Sequence, residues 1–317
     1  MTDISQPHDR FLKILLANPH TAGTLLRERL PEEVTRFFST EPPELVEGSF
    51  IDGEFRKHLT DRLFRVKCLD GRSAFVYTLI EHKSHPDGWI AFQLLRYVVR
   101  ILEQLDRERE KGTLLPPIVP LVVYHGVEAW QTPTRFSALM EGDEALKPHL
   151  IDLPFSVVDL GQIDDVALSG DDRLRGGFLT LKYVFHQAHQ PQVATKIARL
   201  IRTDSELAER VFVYMIQTYG ALDMSDVQEL TEELFPGKAE QYESIWAKKM
   251  IAKGRQEGRQ EGRMEERVDL LLFQLEEKFG PLPAWVRESV ASADIASLKE
   301  WSRRVLKEDS LEKLFAP

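Results

Sequence analysis

From Leu63 to Cys68 polar and apolar residues alternate, with Phe64, Val66 and Cys68 on one side and Arg65 and Lys67 on the other. That is the period of a half-buried strand. Asp70-Gly71 follows as a hairpin turn signal. Ala74 to Ile80 then runs almost without a polar break, as a strand covered on both faces does. Glu81 and Lys83 close the run two residues apart, hence on one face, and His82 points the other way. The turn decides whether Asp61, at the start of the hairpin, joins them. A strict two-residue loop pairs Asp61 with Ile80. A three-residue loop, or a bulge at Gly71, pairs it with Glu81, and this second register is the expectation.

After a short polar loop the period lengthens to that of a helix, from Trp89 to about Glu110, with Gln93 and Tyr97 at i and i+4 on one face. Pro116-Pro117 ends the connection, and Ile118 to Tyr124 reads as a fully buried strand, completing a right-handed βαβ unit. Upstream, Asp9 is a candidate N-cap for a helix through Asn18. A second helix covers Thr21 to Phe38 with a break at Pro31, and Leu45 to Phe50 reads as a first strand. The order is therefore α-β-β-β-α-β, an α/β fold with a mixed sheet, and Pro154 to Leu160 adds a fifth strand. From about Leu174 the pattern is helical, with apolar stripes such as Leu207, Val211, Tyr214 and Met215 that suit packing against the sheet.

Gly-Arg-Gln-Glu occurs at Gly254 and Gly258, and a variant, Gly-Arg-Met-Glu, at Gly262. A four-residue period stacks like charges at i,i+4, and each glycine costs up to ~1 kcal/mol against alanine in a helix. The stretch reads as a helical linker, or as a helix whose glycine seam admits another backbone. It carries too few apolar residues for an ordinary coiled coil. Beyond it, Val268 to Phe279 is amphipathic and ends at Gly280-Pro281, with further helices carrying Leu298, Trp301, Val305 and Leu306.

The 317 residues, 43% hydrophobic and 29% charged, suffice for a large domain and a smaller one. One cysteine, Cys68, excludes an internal disulfide and fits a reducing compartment; its place among the apolar strand positions suits a core residue. No apolar leader and no stretch of ~20 apolar residues is present, so the expectation is a cytoplasmic protein with no membrane partner. A net charge of −10 weighs against nucleic acid. A local groove could still bind it, with Arg96, Arg100, Arg107, Arg109 and Lys111 on or after the helix; a solvated helix face is the plain alternative. His82, His85 and His125 match no recognised zinc spacing, and no Gly-rich phosphate loop is present.

Asp61 and Glu81 can share a hard divalent cation, which prefers oxygen ligands, while Lys83 would position the attacking water and offset charge on a scissile phosphate. On spacing alone the plainer reading is that Asp61 caps a strand, with Glu81 and Lys83 a solvated pair. The ordered set, with Asp61 isolated, Glu81-His82-Lys83 as an E-x-K element and Gln93 to Tyr97 as Q-x-x-x-Y, resembles the PD-(D/E)XK nuclease superfamily and its RecB-like branch. More narrowly, Pro7-His8-Asp9, Ser49-Phe50-Ile51-Asp52, the run Leu79 to Ser84, and Pro117 to Pro120 with Tyr124-His125-Gly126 resemble the Rpn family of recombination-promoting nucleases, from Pro7 to about Pro236. Thr60 stands where the superfamily name has proline, and Lys83 stands where many relatives have glutamine, so the E-x-K form is complete here.

The resemblance implies a metal-dependent DNA endonuclease with a restriction-endonuclease-like core and helical additions, linked to recombination, mobile elements or phage defence. Asp61 and Glu81 would bind Mg²⁺, or another divalent cation such as Mn²⁺ or Ca²⁺; Lys83, Gln93 and Tyr97 would complete the site, and DNA would be the partner. The rival reading is a degenerate nuclease fold acting as a binding or assembly module. The expected organisation is a nuclease-like domain at 1–250 (core about 7–165, helical extension about 170–250), a linker at 251–265 and a small helical domain at 266–317. That last part is expected to bind a partner or to form a homo-oligomer.

Overall fold

The computed structural model describes residues 7–46, 62–81 and 87–315, with side chains for all of these except 77–81 and 144. The chain divides into two compact units, Met1–Trp246 and Ala247–Pro317. The first is built on a five-stranded mixed sheet in the order β1-β2-β3-β4-β5: β1 (Glu44–Leu45), β2 (Arg62–Lys67), β3 (Ser73–Glu81), β4 (Ile118–Tyr124) and β5 (Ser156–Asp159). β1, β2 and β3 pair antiparallel, and β3, β4 and β5 pair parallel. Helices α1 (Pro7–Leu15), α2 (Pro19–Arg29) and α3 (Glu32–Thr35) precede the sheet, and α4 (Ile90–Glu108) crosses from β3 to β4. The order α-β-β-β-α-β is thus present, with the break between α2 and α3 at Pro31.

Alternation along the strands sorts two cores. Phe64, Val66, Val76, Leu121 and Val123 face Phe11, Leu12 and Leu15 of α1 and a helical layer. That layer comprises α5 (Asp172–Lys182), α6 (Gln190–Ile201), α7 (Ser205–Thr218) and α8 (Met224–Leu234). Leu63, Phe75 and Val122 face the other way, onto Ile90, Leu94, Tyr97 and Ile101 of α4. β4 is apolar throughout because both its faces are covered: Leu121 to Tyr124 are all fully buried. α1 lies directly on α5, where a Cβ on Gly177 would run into the Leu15 side chain. That close approach explains a glycine at the centre of a helix.

The hairpin differs from expectation in register. Cys68 N donates to Arg72 O (2.7 Å) and Gly71 N to Cys68 O (3.0 Å), enclosing the three-residue loop Leu69-Asp70-Gly71. Gly71 supplies the positive φ of 83° at its third position. A three-residue loop is therefore present, but it starts one residue earlier than a pairing of Asp61 with Glu81 needs. Such a pairing would set Arg62 opposite Ile80, whereas Arg62 pairs with Thr78. The offset is two residues, so it preserves which positions share a face. Asp61 itself lies outside the described residues, as do Lys83 and most of the expected first strand.

Two further expectations change. Asp9 is no N-cap, since α1 begins at Pro7 and Asp9 sits inside its first turn, 2% exposed. Cys68 is half-buried at an isolated bridge to Phe38 rather than in the core; burial, with the Asp70 charge beside it, pushes its thiol pKa up, away from the reactive thiolate.

α9 (Ala239–Phe279) carries the Gly-Arg-Gln-Glu repeat within one continuous helix, and every residue from Ile251 to Arg263 is exposed. A Cβ at Gly254, Gly258 or Gly262 would meet nothing. In the second unit, Leu271 and Leu275 of α9 pack on α10 (Ala284–Ala291), α11 (Ile295–Arg304) and α12 (Leu311–Phe315) through Val286, Val290, Leu298 and Leu314. No helix among the described residues is long and apolar enough to cross a membrane.

Candidate active site at the carboxyl edge of the sheet

β3, β4 and β5 run parallel, so their carboxyl ends share one edge of the sheet. The helix connecting two parallel strands runs back against them, which brings the N-terminus of α4 to the same edge. Open α/β sheets bind ligands in the crevice outside these strand ends. Glu81 ends β3 and pairs in register with Tyr124, the last residue of β4. Its position belongs to the alternating series that begins at Phe75, which faces α4.

Of the five residues that the sequence nominates, Asp61 and Lys83 lie outside the described residues, and Glu81 is located by its backbone. Gln93 and Tyr97 lie on the first turns of α4. Gln93 is half-buried, whereas Tyr97 is buried in the cluster formed by Leu63, Phe75, Ile90, Leu94 and Val122. Tyr97 therefore packs α4 against the sheet, and Gln93 is the less buried of the pair. The helix start is set by Asp87, whose Oδ1 accepts from Trp89 N (2.9 Å), and by Trp89 O, which accepts from Gln93 N (3.1 Å).

On the opposite face of the same edge lies a cluster that strand and helix periodicity does not reveal. His125, the first residue after β4, is 1% exposed. Its ring stands edge-on to His8 of α1 (5.3 Å between centroids, 65°) and stacks on Phe185 (5.8 Å, 10°). His8 Nδ1 shares a hydrogen bond with the Tyr214 hydroxyl of α7, and Phe11 stacks on the Tyr214 ring at 4.4 Å. Burial lifts the Tyr214 phenol well above its ordinary range, and the charge of buried Asp9 adds to the shift. The fragments Pro7-His8-Asp9 and Tyr124-His125-Gly126, 117 positions apart, thus meet in space. Their repeated His beside a strand or helix end was the available signal, but only a tertiary fold joins them. Nearby, Asp159 at the end of β5 accepts from Trp130 N (2.8 Å) and Gly161 N (3.0 Å), which fixes the loops around the edge.

Among the described residues no three His, Cys, Asp or Glu side chains stand close enough to hold a metal ion. The nominated residues Asp61 and Glu81 are carboxylates, the kind of oxygen ligand that hard divalent cations take.

The chain matches the family model "Putative transposase, YhgA-like" over residues 6–211. It is 28% identical over 296 residues to the "Inactive recombination-promoting nuclease-like protein RpnE" of Escherichia coli (strain K12), covering 92% of this chain and 97% of that protein. It is likewise 28% identical over 259 residues to the "Recombination-promoting nuclease RpnA" of the same strain, covering 80% and 86%. With the "Recombination-promoting nuclease RpnD" of Escherichia coli O157:H7 it shares 30% identity over 162 residues, 51% of this chain and 61% of the relative. No solved structure matches.

Proposed function

Since the chain belongs to the family described as "Putative transposase, YhgA-like" and its named relatives include recombination-promoting nucleases, we propose that it is a divalent-metal-dependent DNA endonuclease of the PD-(D/E)XK type. The observation that carries this reading is the position of Glu81. It ends the central strand of an α-β-β-β-α-β unit, at the sheet edge where α4 begins. Asp61 and Glu81 would hold the ion, Mg²⁺ by preference, with Mn²⁺ or Ca²⁺ as substitutes. A bound ion supplies Lewis acidity for the phosphoryl oxygens and a more acidic water. Lys83 would hold that water in line and offset charge on the phosphate. Gln93 would orient ligands or the DNA backbone by hydrogen bonding, and buried Tyr97 would keep α4 seated against β3. DNA is the partner, and cleavage serves recombination or the handling of mobile elements.

A second reading has its own support, because the relative matched over 92% of this chain is named inactive. In that case the fold binds DNA or assembles without cutting. Supercoiled plasmid, incubated with purified protein and Mg²⁺ or with excess chelator, separates the two. Metal-dependent nicking that is lost in Glu81→Ala supports the endonuclease. Cleavage that persists in chelator, or no cleavage across several metals and DNA forms, removes it.

A further inference from the structure

The solvent face of α4 carries an arrangement that the cleavage chemistry does not use. Trp89 is 68% exposed and Phe92 43% exposed, with their rings edge-to-face at 6.3 Å. Phe92 is braced from behind by the Phe136 ring at 6.1 Å. At 100° per residue the same stripe continues through Arg96, Arg100 and Arg107, all exposed. Arg100 makes a surface ion pair with Glu103 at 3.8 Å, which a stronger anion can displace. The stripe begins where α4 begins, at the carboxyl edge that carries Glu81. It runs about 22 Å from Phe92 to Arg107 at the helical rise of ~1.5 Å per residue.

From this we propose that the Trp89–Phe92 face is a stacking platform for unpaired nucleobases, and that the substrate is single-stranded or locally opened nucleic acid laid along α4. The proposal rests on the nuclease reading for its purpose, but binding can be measured without cleavage. Charge favours this occupant over duplex. The whole chain is at −10, which opposes the broad phosphate footprint that duplex binding draws on. Stacking on aromatic rings is tolerant of sequence and acts together with cations that track the strand. Arginines one, two and four turns beyond Phe92 provide them on the same stripe. A buried core role fails for Trp89, because more than half of its surface faces water.

Fluorescence anisotropy of a fluorescein-labelled oligothymidylate and of a labelled hairpin duplex, both in chelator, tests it on the full chain. The wild type should prefer the single strand. Trp89→Ala should weaken that binding by about 5- to 150-fold, the range of one stacked base, without changing the thermal melt or the duplex affinity. Trp89→Phe should restore most of it. Arg107→Gln should flatten the slope of log K against log salt by about 0.7, one phosphate's share on a single strand. Equal binding by wild type and Trp89→Ala, a Trp89→Phe variant as weak as Trp89→Ala, or no preference for single strands would each overturn the proposal. So would sedimentation showing that Trp89→Ala dissociates an oligomer while leaving DNA binding intact, since the face would then belong to a second copy. Trp89-dependent binding without metal-dependent cleavage leaves the platform standing and removes the nuclease. Metal-dependent cleavage of single strands that is indifferent to Trp89 does the reverse.

Discussion

Tyr214 and Tyr219 bury phenols whose ionisation the fold opposes. Burial raises both above the ordinary value of 10, Tyr219 the more completely enclosed. Below pH 10 each phenol is neutral in folded and unfolded chains alike. Above it the unfolded chain loses those protons while the folded chain keeps them, so stability falls as pH rises. The slope is about 1.4 kcal/mol per pH unit for each group until the folded phenol ionises. Urea unfolding at pH 9 and pH 11 should therefore show a smaller alkaline loss for Tyr214→Phe than for wild type, by about 1 kcal/mol. An identical loss would mean that the phenol is already solvated. The nominated site residues predict kinetics rather than stability. Asp61→Ala and Glu81→Ala should abolish nicking of plasmid, because each removes an oxygen ligand. Lys83→Ala should cost roughly 10²–10³-fold in rate with metal affinity largely kept, the scale of one preorganised electrostatic group. Gln93→Ala should be milder. Full activity in Asp61→Ala would end the assignment. At this scale the sequence was informative wherever chemistry is local: the spacing of Glu81 and Lys83, or of Gln93 and Tyr97, is a matter of one strand or one helix. It named His8, His125 and Tyr214 separately but could not join them, since they meet through the packing of α1 and α7 on the end of β4.

At the scale of elements, strong periodicity was readable and turn geometry was not. β4 came out at Ile118–Tyr124 as its uninterrupted apolar run indicates, and α4 differs from its expected limits by one or two residues, at ends where helices fray. The hairpin register slipped by two because Asp70-Gly71 fits several loops, and only the positive φ of Gly71 at the third loop position selects one. Asp9 looked like a cap because it is an acid before an apolar run; Pro7, a favoured first helical residue, begins the helix two positions sooner. Gly177 shows how an element can be legible while its reason is hidden. By propensity alone a glycine weakens a helix, yet in α5 Gly177 is the point where Leu15 of α1 rests. In an exposed helix Gly→Ala would stabilise by up to ~1 kcal/mol. Here Gly177→Ala should destabilise by roughly 1–3 kcal/mol, because the added methyl group overpacks the contact between α1 and α5. Urea titration of the variant gives the sign directly. A stabilised Gly177→Ala would show that Leu15 can move aside.

For the whole molecule, the prediction concerns where the chain can be cut. Apolar patterning on both sides of the repeat indicated two hydrophobic sets, and the structure has two compact units with separate cores. α9 contributes to both through different residues. Its first turns belong to the sheet-bearing unit: Tyr242 is fully buried against Phe212 (4.9 Å) and Phe235 (5.1 Å). Trp246 Nε1 donates to Leu222 O at 3.2 Å. Past Trp246 the helix buries little until Leu271 and Leu275 enter the second core. A chain ending at Gly254 keeps every one of the first-unit contacts, so it should fold cooperatively, melt within a few degrees of the full-length first transition, and retain whatever metal and DNA binding the sheet edge provides. A chain ending at Lys238 loses Tyr242 and Trp246 from an otherwise intact core. Removing a buried aromatic side chain costs about 3–5 kcal/mol, a large share of the ~5–15 kcal/mol that holds a domain together. The shorter chain should accordingly be unfolded or aggregated at temperatures where the longer one is native. Circular dichroism melts of the two truncations side by side decide the matter. If the chain ending at Gly254 also collapses, the second unit contributes to the stability of the first, and the division at Trp246 is not a folding boundary.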